Sequence, residues 1–208
     1  MAVVGIVPAA GRGERLGGEV PKAFAPCAGR PLVEWSLAVL ESVCDRVVVA
    51  VPPGYETGPD RVTGGSSRSE SVRLALAAAP EATVAVVHDA ARPLVTRELV
   101  EACVAAVGDG CDGAVAAAPV SDTIKEADAG GRVVRTLDRS RLWAIQTPQA
   151  FAADVLRRAL EGGDVASATD DASLVEAAGG TVRVVQAPPE NFKVTSRVDL
   201  ALAEVLLC

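Results

Sequence analysis

Aromatic side chains are scarce in this 208-residue chain: three Phe, one Tyr and two Trp make up 3% of it. A core that rings cannot fill has to be built from Ala, Val and Leu, which suits helices laid against a Val-rich sheet. Histidine is scarcer still. The single imidazole, His88, excludes mechanisms that need two, and no G-x-S-x-G elbow is present to make it the base of a covalent hydrolase. The five cysteines, Cys27, Cys44, Cys103, Cys111 and Cys208, are scattered and contain no C-x-x-C pair, so neither zinc nor a redox centre is expected. Positive charge is in deficit. Against 27 Asp and Glu stand 20 Lys and Arg, and the formal net charge of −7 opposes long-range attraction to nucleic acid or an anionic membrane. Apolar runs fall well short of a membrane span, and Met1 to Pro8 lack the length and basic flank of a signal peptide. A cytoplasmic protein is expected.

What is present is an alternation. Val3 to Val7, Val47 to Val51, Val84 to Val87, Ala114 to Ala118 and Val182 to Val185 are continuous apolar runs of strand length. Between them, Leu32 to Val43, Ser69 to Ala79, Arg97 to Val107, Asp154 to Leu160 and Asp171 to Ala178 have helical patterns. Thr96 and Asp170 are expected helix caps, and Gly179-Gly180 an expected stop. The alternation implies one Rossmann-like α/β domain over residues 1–208: a mainly parallel sheet with helices on both faces, binding its ligand beyond the carboxyl ends of the strands. Residues 121–145 break the pattern. Gly130-Gly131 between two short polar-apolar segments predicts a β-hairpin that leaves the sheet as an arm.

The first strand runs into Pro8-Ala9-Ala10-Gly11-Arg12-Gly13-Glu14-Arg15-Leu16-Gly17, followed by Pro21-Lys22. Small residues let a ligand approach the backbone, whose successive N–H groups suit phosphate oxygens; Arg15 and Lys22 would complete an anion site. Leu16 stands where a dinucleotide fingerprint needs its third glycine, and no Gly-Lys-Ser/Thr is present for a Walker loop.

This G-x-G-x-R-x-G loop with Pro-Lys resembles that of nucleotidyltransferases that activate sugar phosphates. The Pro8-Ala9-Ala10-Gly11 form is most similar to the 2-C-methyl-D-erythritol 4-phosphate cytidylyltransferases. Further segments follow in that family's order: Gly64-Gly65 to Val72, His88-Asp89-Ala90-Ala91-Arg92-Pro93, Asp122-Thr123, Gln146-Thr147-Pro148-Gln149, Thr169-Asp170-Asp171 and Asn191-Phe192-Lys193. The resemblance implies a nucleotidyltransferase domain that joins CMP from CTP to the alcohol phosphate, with Mg²⁺ or another divalent cation. It implies catalytic roles for Arg15, Lys22 and Lys193, and nucleotide contacts from Ala9, Ala10, Gly11, Gly13, Gly65, Ser71 and Asp89. Asp89 would also be the metal ligand or anchor it from behind a water. Arg92, Thr123, Arg139, Thr147 and Thr169 would bind the alcohol phosphate, with Thr123 and Arg139 reaching across a homodimer through the arm. His88 is expected to be structural. The alternatives are the same chemistry on ribitol 5-phosphate, a nucleotide-binding regulatory protein on a transferase fold, and an NAD-dependent oxidoreductase, which Leu16 disfavours.

Overall fold

The structure, a computed structural model, describes residues 1–11, 20–108, 110–162 and 168–208. In chain order its strands are β1 (Val3–Pro8), β2 (Pro26–Cys27), β3 (Arg30–Pro31), β4 (Arg46–Val51), β5 (Arg61–Thr63), β6 (Val84–Val87), β7 (Gly113–Pro119), β8 (Lys125–Ala127), β9 (Val133–Thr136), β10 (Trp143–Ala152) and β11 (Val182–Gln186). The helices are α1 (Leu32–Leu40), α2 (Arg68–Ala77), α3 (Arg97–Ala105), α4 (Ala153–Gly162), α5 (Asp171–Ala177) and α6 (Arg197–Leu207).

Seven strands form the main sheet in the order β11-β7-β10-β6-β1-β4-β5. All its pairings are parallel except those of β10, which runs antiparallel to both β6 and β7. The strands are apolar on both faces because both faces are covered. Val3 and Val7 of β1 pack with Val33, Leu37, Leu99 and Val100 of α1 and α3. Val4 and Ile6, one residue out of phase, pack with Val72, Leu76, Leu156 and Val175 of α2, α4 and α5. The expected α/β architecture is therefore present, and each of the five expected strands lies in it. Ser67, Thr96 and Asp170 cap α2, α3 and α5 through their side chains, and Gly179 takes the left-handed conformation (φ 84°) that ends α5.

Besides the two-residue strands β2 and β3, which pair with each other, two strands and a helix were not anticipated. β5 is a three-residue edge strand, too short to show a period. β10 hides behind Pro148, which a strand interior tolerates where the ladder is broken; the pairing with β7 shifts register between Ile145 and Gln149. α6 follows a capping box in which the Ser196 hydroxyl accepts from Asp199 N–H while the Asp199 carboxylate accepts from Ser196 N–H.

The capping box has a pH signature. Hydrogen bonds from Thr195 and Ser196 lower the Asp199 pKa from 3.8 to about 2. Since the folded state binds the charged form better, the stabilisation is complete above the unfolded value and is lost as pH falls through the folded one. Asp199→Ala should cost about 1 kcal/mol at pH 7, a modest figure because the group is partly exposed. Urea unfolding should show that difference shrinking as pH falls from about 4 towards 2.

β8 and β9 form a separate hairpin outside the main sheet. Asp128 accepts from Gly130 and Arg132 N–H, and Gly131 supplies the positive φ of 81° that the turn requires. Every residue of both strands is exposed.

Candidate active site

The functional segments meet where β1, β5 and β6 end. Ala9 continues the β1 ladder by donating to Ala50 O, and Gly64 continues β5 by donating to Val51 O. The two loops touch: a Cβ on Gly64 would lie 2.3 Å from that of Ala10 and 3.0 Å from Ser71 Oγ, so no larger residue fits. The buried Ser71 hydroxyl donates to Ser67 O (2.9 Å) and accepts from Gly65 N–H (3.1 Å), which ties the glycine loop to α2. These residues line a cavity of about 780 Å³ together with Gly11, Lys22, Asp89 and Lys193. Lys22 opens a 3₁₀ turn, Lys22–Phe24, behind Pro21. Of the expected nucleotide-side residues, Gly13 and Arg15 lie outside the described residues; Ala9, Ala10, Gly11, Lys22, Gly65, Ser71, Asp89 and Lys193 come together.

A second cavity, of about 470 Å³, opens on the other side of Asp89 and is lined by Arg92, Thr147 and Thr169, again with Lys193. His88 organises its floor. The wholly buried imidazole has Nε2 3.2 Å from Arg92 O and Nδ1 3.1 Å from Thr147 Oγ1. A carbonyl can only accept, so Nε2 carries the proton and Nδ1 accepts from the Thr147 hydroxyl. Burial lowers the His88 pKa to about 4, which keeps the ring neutral and the bonds in this sense. Thr147 Oγ1 also accepts from Asp89 N–H at 3.0 Å, and one lone pair remains to it. Arg92 donates from Nη1 to Asn191 O (2.7 Å), while its buried Nε has no hydrogen-bond partner among the described residues. Asn191 is held by Gln146 Oε1 and Thr147 O, so the loop that carries Lys193 is anchored to β10.

The wall between the cavities is ionic. Arg68 Nε donates to Asp89 Oδ1 (3.0 Å) and Nη1 to Asp171 Oδ2 (2.7 Å), while Lys193 Nζ lies 2.6 Å from Asp89 Oδ2. Burial alone would raise the Asp89 pKa, but Arg68 and Lys193 overcome it and hold the carboxyl well below its usual range. For Asp171, completely buried with one oxygen unpartnered among the described residues, burial wins and the pKa rises in spite of Arg68. Arg68 and Asp171 were not singled out in the sequence. Both sit inside segments that carry the resemblance, but their pairing joins positions 103 apart and follows only from α2 and α5 presenting their first turns to each other.

Thr123 and Arg139 lie in neither cavity. Both are exposed on the arm side of the molecule, where Arg139 Nη1 donates to Ser121 O. No cluster of three or more His, Cys, Asp or Glu able to cage a metal exists among the described residues. Asp89, the carboxylate common to both cavities, offers one hard-oxygen donor. That suits a hard divalent cation such as Mg²⁺, which keeps most of its shell in water and phosphate oxygens.

A glycine loop, two lysines and a carboxylate at the carboxyl ends of a mainly parallel sheet define the nucleotidyltransferase class of α/β protein. The sequence profile of the family described as IspD, 2-C-methyl-D-erythritol 4-phosphate cytidylyltransferase, matches residues 3–208. The chain is 48% identical to the protein of that name from Frankia casuarinae, over 99% of this chain and 81% of that one. It is 47% identical to that of Saccharopolyspora erythraea over the full length of both. The crystal structure of 2-C-methyl-D-erythritol 4-phosphate cytidylyltransferase from Thermus thermophilus superposes with a TM-score of 0.85 at 38% identity, covering 99% of this chain and 98% of the other. The chain belongs to the 2-C-methyl-D-erythritol 4-phosphate cytidylyltransferase family.

Proposed function

We propose that the protein transfers CMP from CTP to 2-C-methyl-D-erythritol 4-phosphate, giving 4-diphosphocytidyl-2-C-methyl-D-erythritol and pyrophosphate in non-mevalonate isoprenoid precursor biosynthesis. The observation that carries it is the pair of cavities sharing one wall of Asp89 and Lys193, one cavity entered by the glycine loop and Lys22 and the other by Arg92, Thr147 and Thr169. A 4-phosphate oxygen attacks the α-phosphorus of CTP in line, and the bond to the β-phosphate bridging oxygen breaks. The nucleophile is already an anion, so no general base is needed, and the one imidazole is free to serve as buried structure. The difficulty is bringing anions together. Lys22, Lys193 and Arg15 position the phosphates and offset the charge gathered in the transition state. Asp89 would hold Mg²⁺, whose charge, when it is bound, offsets that of the triphosphate.

Lone pairs support the choice of substrates. Ser71 Oγ has given its proton to Ser67 O and taken one from Gly65 N–H, so what it still offers a base is an acceptor. An acceptor suits the exocyclic amine of cytosine and opposes the carbonyl of uracil. Thr147 is likewise left as an acceptor, fit for an alcohol hydroxyl. Contact of Ala10 with Gly64 keeps the base-side loops together. Gly64→Ala should therefore lower kcat/KM for CTP by about tenfold or more, through misplacement on the scale of 1 Å. Steady-state assays at varied CTP check this, and an unchanged kcat/KM would remove the loops' contact from the account.

The proposal extends to a homodimer in which Thr123 and Arg139 of one protomer reach the alcohol phosphate bound by its partner. The exposed hairpin and the absence of both residues from the lining of their own chain's two cavities support it; a planar guanidinium suits a phosphate. The acidic chain, with no helix among its described residues long and apolar enough to cross a membrane, fits work in the cytoplasm. The deciding experiment is pyrophosphate release by purified protein with Mg²⁺ and CTP, with and without 2-C-methyl-D-erythritol 4-phosphate. Ribitol 5-phosphate and the other NTPs serve as controls. Release that requires CTP and methylerythritol phosphate is the expected result. Turnover with ribitol 5-phosphate in its place would overturn the substrate, and CTP binding without release would point to a regulatory protein.

A further inference from the structure

Two groups assigned separate tasks in the proposed reaction are bound to each other here: Lys193, which is to reach phosphate, sits 2.6 Å from Asp89. Lys193 can turn its full charge on phosphate only by loosening its hold on that carboxylate, since the close ion pair takes up one of its three donors and offsets its charge. The Asp89 side chain is only 11% exposed, and a carboxylate so enclosed does not surrender a counter-ion unless another cation remains. Arg68 is that cation. It holds the other Asp89 oxygen, Oδ1, by Nε, and is itself fixed from behind by the fully buried Asp171 through Nη1. The lysine is the most exposed member of the group, its side chain 39% exposed against 29% for Arg68 and none for Asp171. Charges in the wall balance as two cations against two carboxylates, and a guanidinium, with several donors in one plane, can span both acids where an amine cannot.

We infer that Arg68 is a positioning residue, whose hold on Asp89 allows Lys193 to leave that carboxylate for the phosphates when substrates bind. The inference rests on the proposed transferase reaction and adds to it Arg68, which lines both cavities and acts here through its hold on Asp89. Without Arg68, Lys193 is the one cation of the described residues left on Asp89, and the lysine is drawn back to the carboxylate in competition with Mg²⁺.

The test is a mutant cycle read by steady-state pyrophosphate release. Arg68→Met is combined with Asp171→Asn, so that the buried Asp171 is not left uncompensated while Lys193 still faces Asp89. In the native chain, Lys193→Ala should lower kcat about a hundredfold, the scale of one lost transition-state donor. Arg68→Met/Asp171→Asn should lower kcat by a similar order with KM for CTP little changed, because binding groups stay in place while one fails to engage. Adding Lys193→Ala to that background should cost less than about fivefold more, a strongly non-additive result. Arg68→Lys/Asp171→Asn, with one amine now serving one carboxylate, should recover most of the rate and with it the full cost of Lys193→Ala. If the Met version does not fold, Arg68→Gln/Asp171→Asn replaces it with the same expectations. A full hundredfold cost of Lys193→Ala in the Arg68-free background, or wild-type kcat in Arg68→Met/Asp171→Asn, overturns the inference and leaves the transferase reading standing. A near-normal Lys193→Ala in the native chain instead sinks the role of Lys193 itself, and the inference with it.

Discussion

Lys22→Ala is expected to lower kcat about a hundredfold or more, on the scale of removing one donor aimed at transition-state charge. The lysine stands at the head of a 3₁₀ turn whose entry Pro21 fixes, and it lines the nucleotide-side cavity with Asp89 and Lys193. The reaction brings an anionic nucleophile onto an anionic chain of phosphates, so a cation there gains most when charge is most concentrated. Its loss should therefore appear in kcat and kcat/KM together, whereas a group that merely attracts CTP would move KM alone. Initial rates of pyrophosphate release at saturating and limiting CTP separate the two. A kcat within a few-fold of wild type would refute the assigned role.

The largest effect on stability is expected from Phe151→Ala, a loss of about 3–5 kcal/mol. In a chain with so few rings this is the largest side chain that is fully buried, carried by β10 at the middle of the sheet. The ring occupies space made by a neighbour: a Cβ on Gly113 of β7 would lie 2.4 Å from Phe151 Cδ1. The ring shares its cluster with Val115, Leu156, Leu160 and Leu174, which their own strands and helices hold in place, so the vacancy is filled only in part. Gly113→Ala should destabilise as well, by about 1–3 kcal/mol, through overpacking against the same ring. Urea unfolding monitored by far-UV circular dichroism measures both. A Phe151→Ala loss under about 1 kcal/mol would mean that the site repacks.

The parts of this architecture that could be read from the chain are those where burial is local and repeated. Val3 to Val7 or Val84 to Val87 can hardly be anything but strands covered on both faces, and helices recur between such runs at crossover spacing. β10 could not be found in this way, since Pro148 and a register shift divide it and its first three residues are exposed. α6 is legible in Ser196-x-x-Asp199 followed by a Leu- and Ala-rich run, although its capping box carries Asp where Glu or Gln is usual. For the site, motifs led to the residues at the ends of β1, β5 and β6, because small residues and lone charges after an apolar run have few structural uses. Motifs do not reveal which charges pair. That Lys193 faces Asp89, and that Arg68 spans Asp89 and Asp171, depends on elements distant in sequence and adjacent only once the sheet is assembled.

The strand order also bears on how the chain emerges from the ribosome. β1, β4, β5 and β6 pair among themselves and are all made before residue 88, so the nucleotide-side half of the sheet can assemble early. β7 is made next, yet its place is one strand away from β6, and the gap is filled by β10, which is translated only after the hairpin of β8 and β9. Direct pairing of β7 with β6 through α3 would be the ordinary crossover, and the nascent chain has to avoid or undo it. A chain halted before Trp143 thus holds three bare strand edges that the finished protein conceals, one on β6 and both on β7, and such edges invite pairing with other chains.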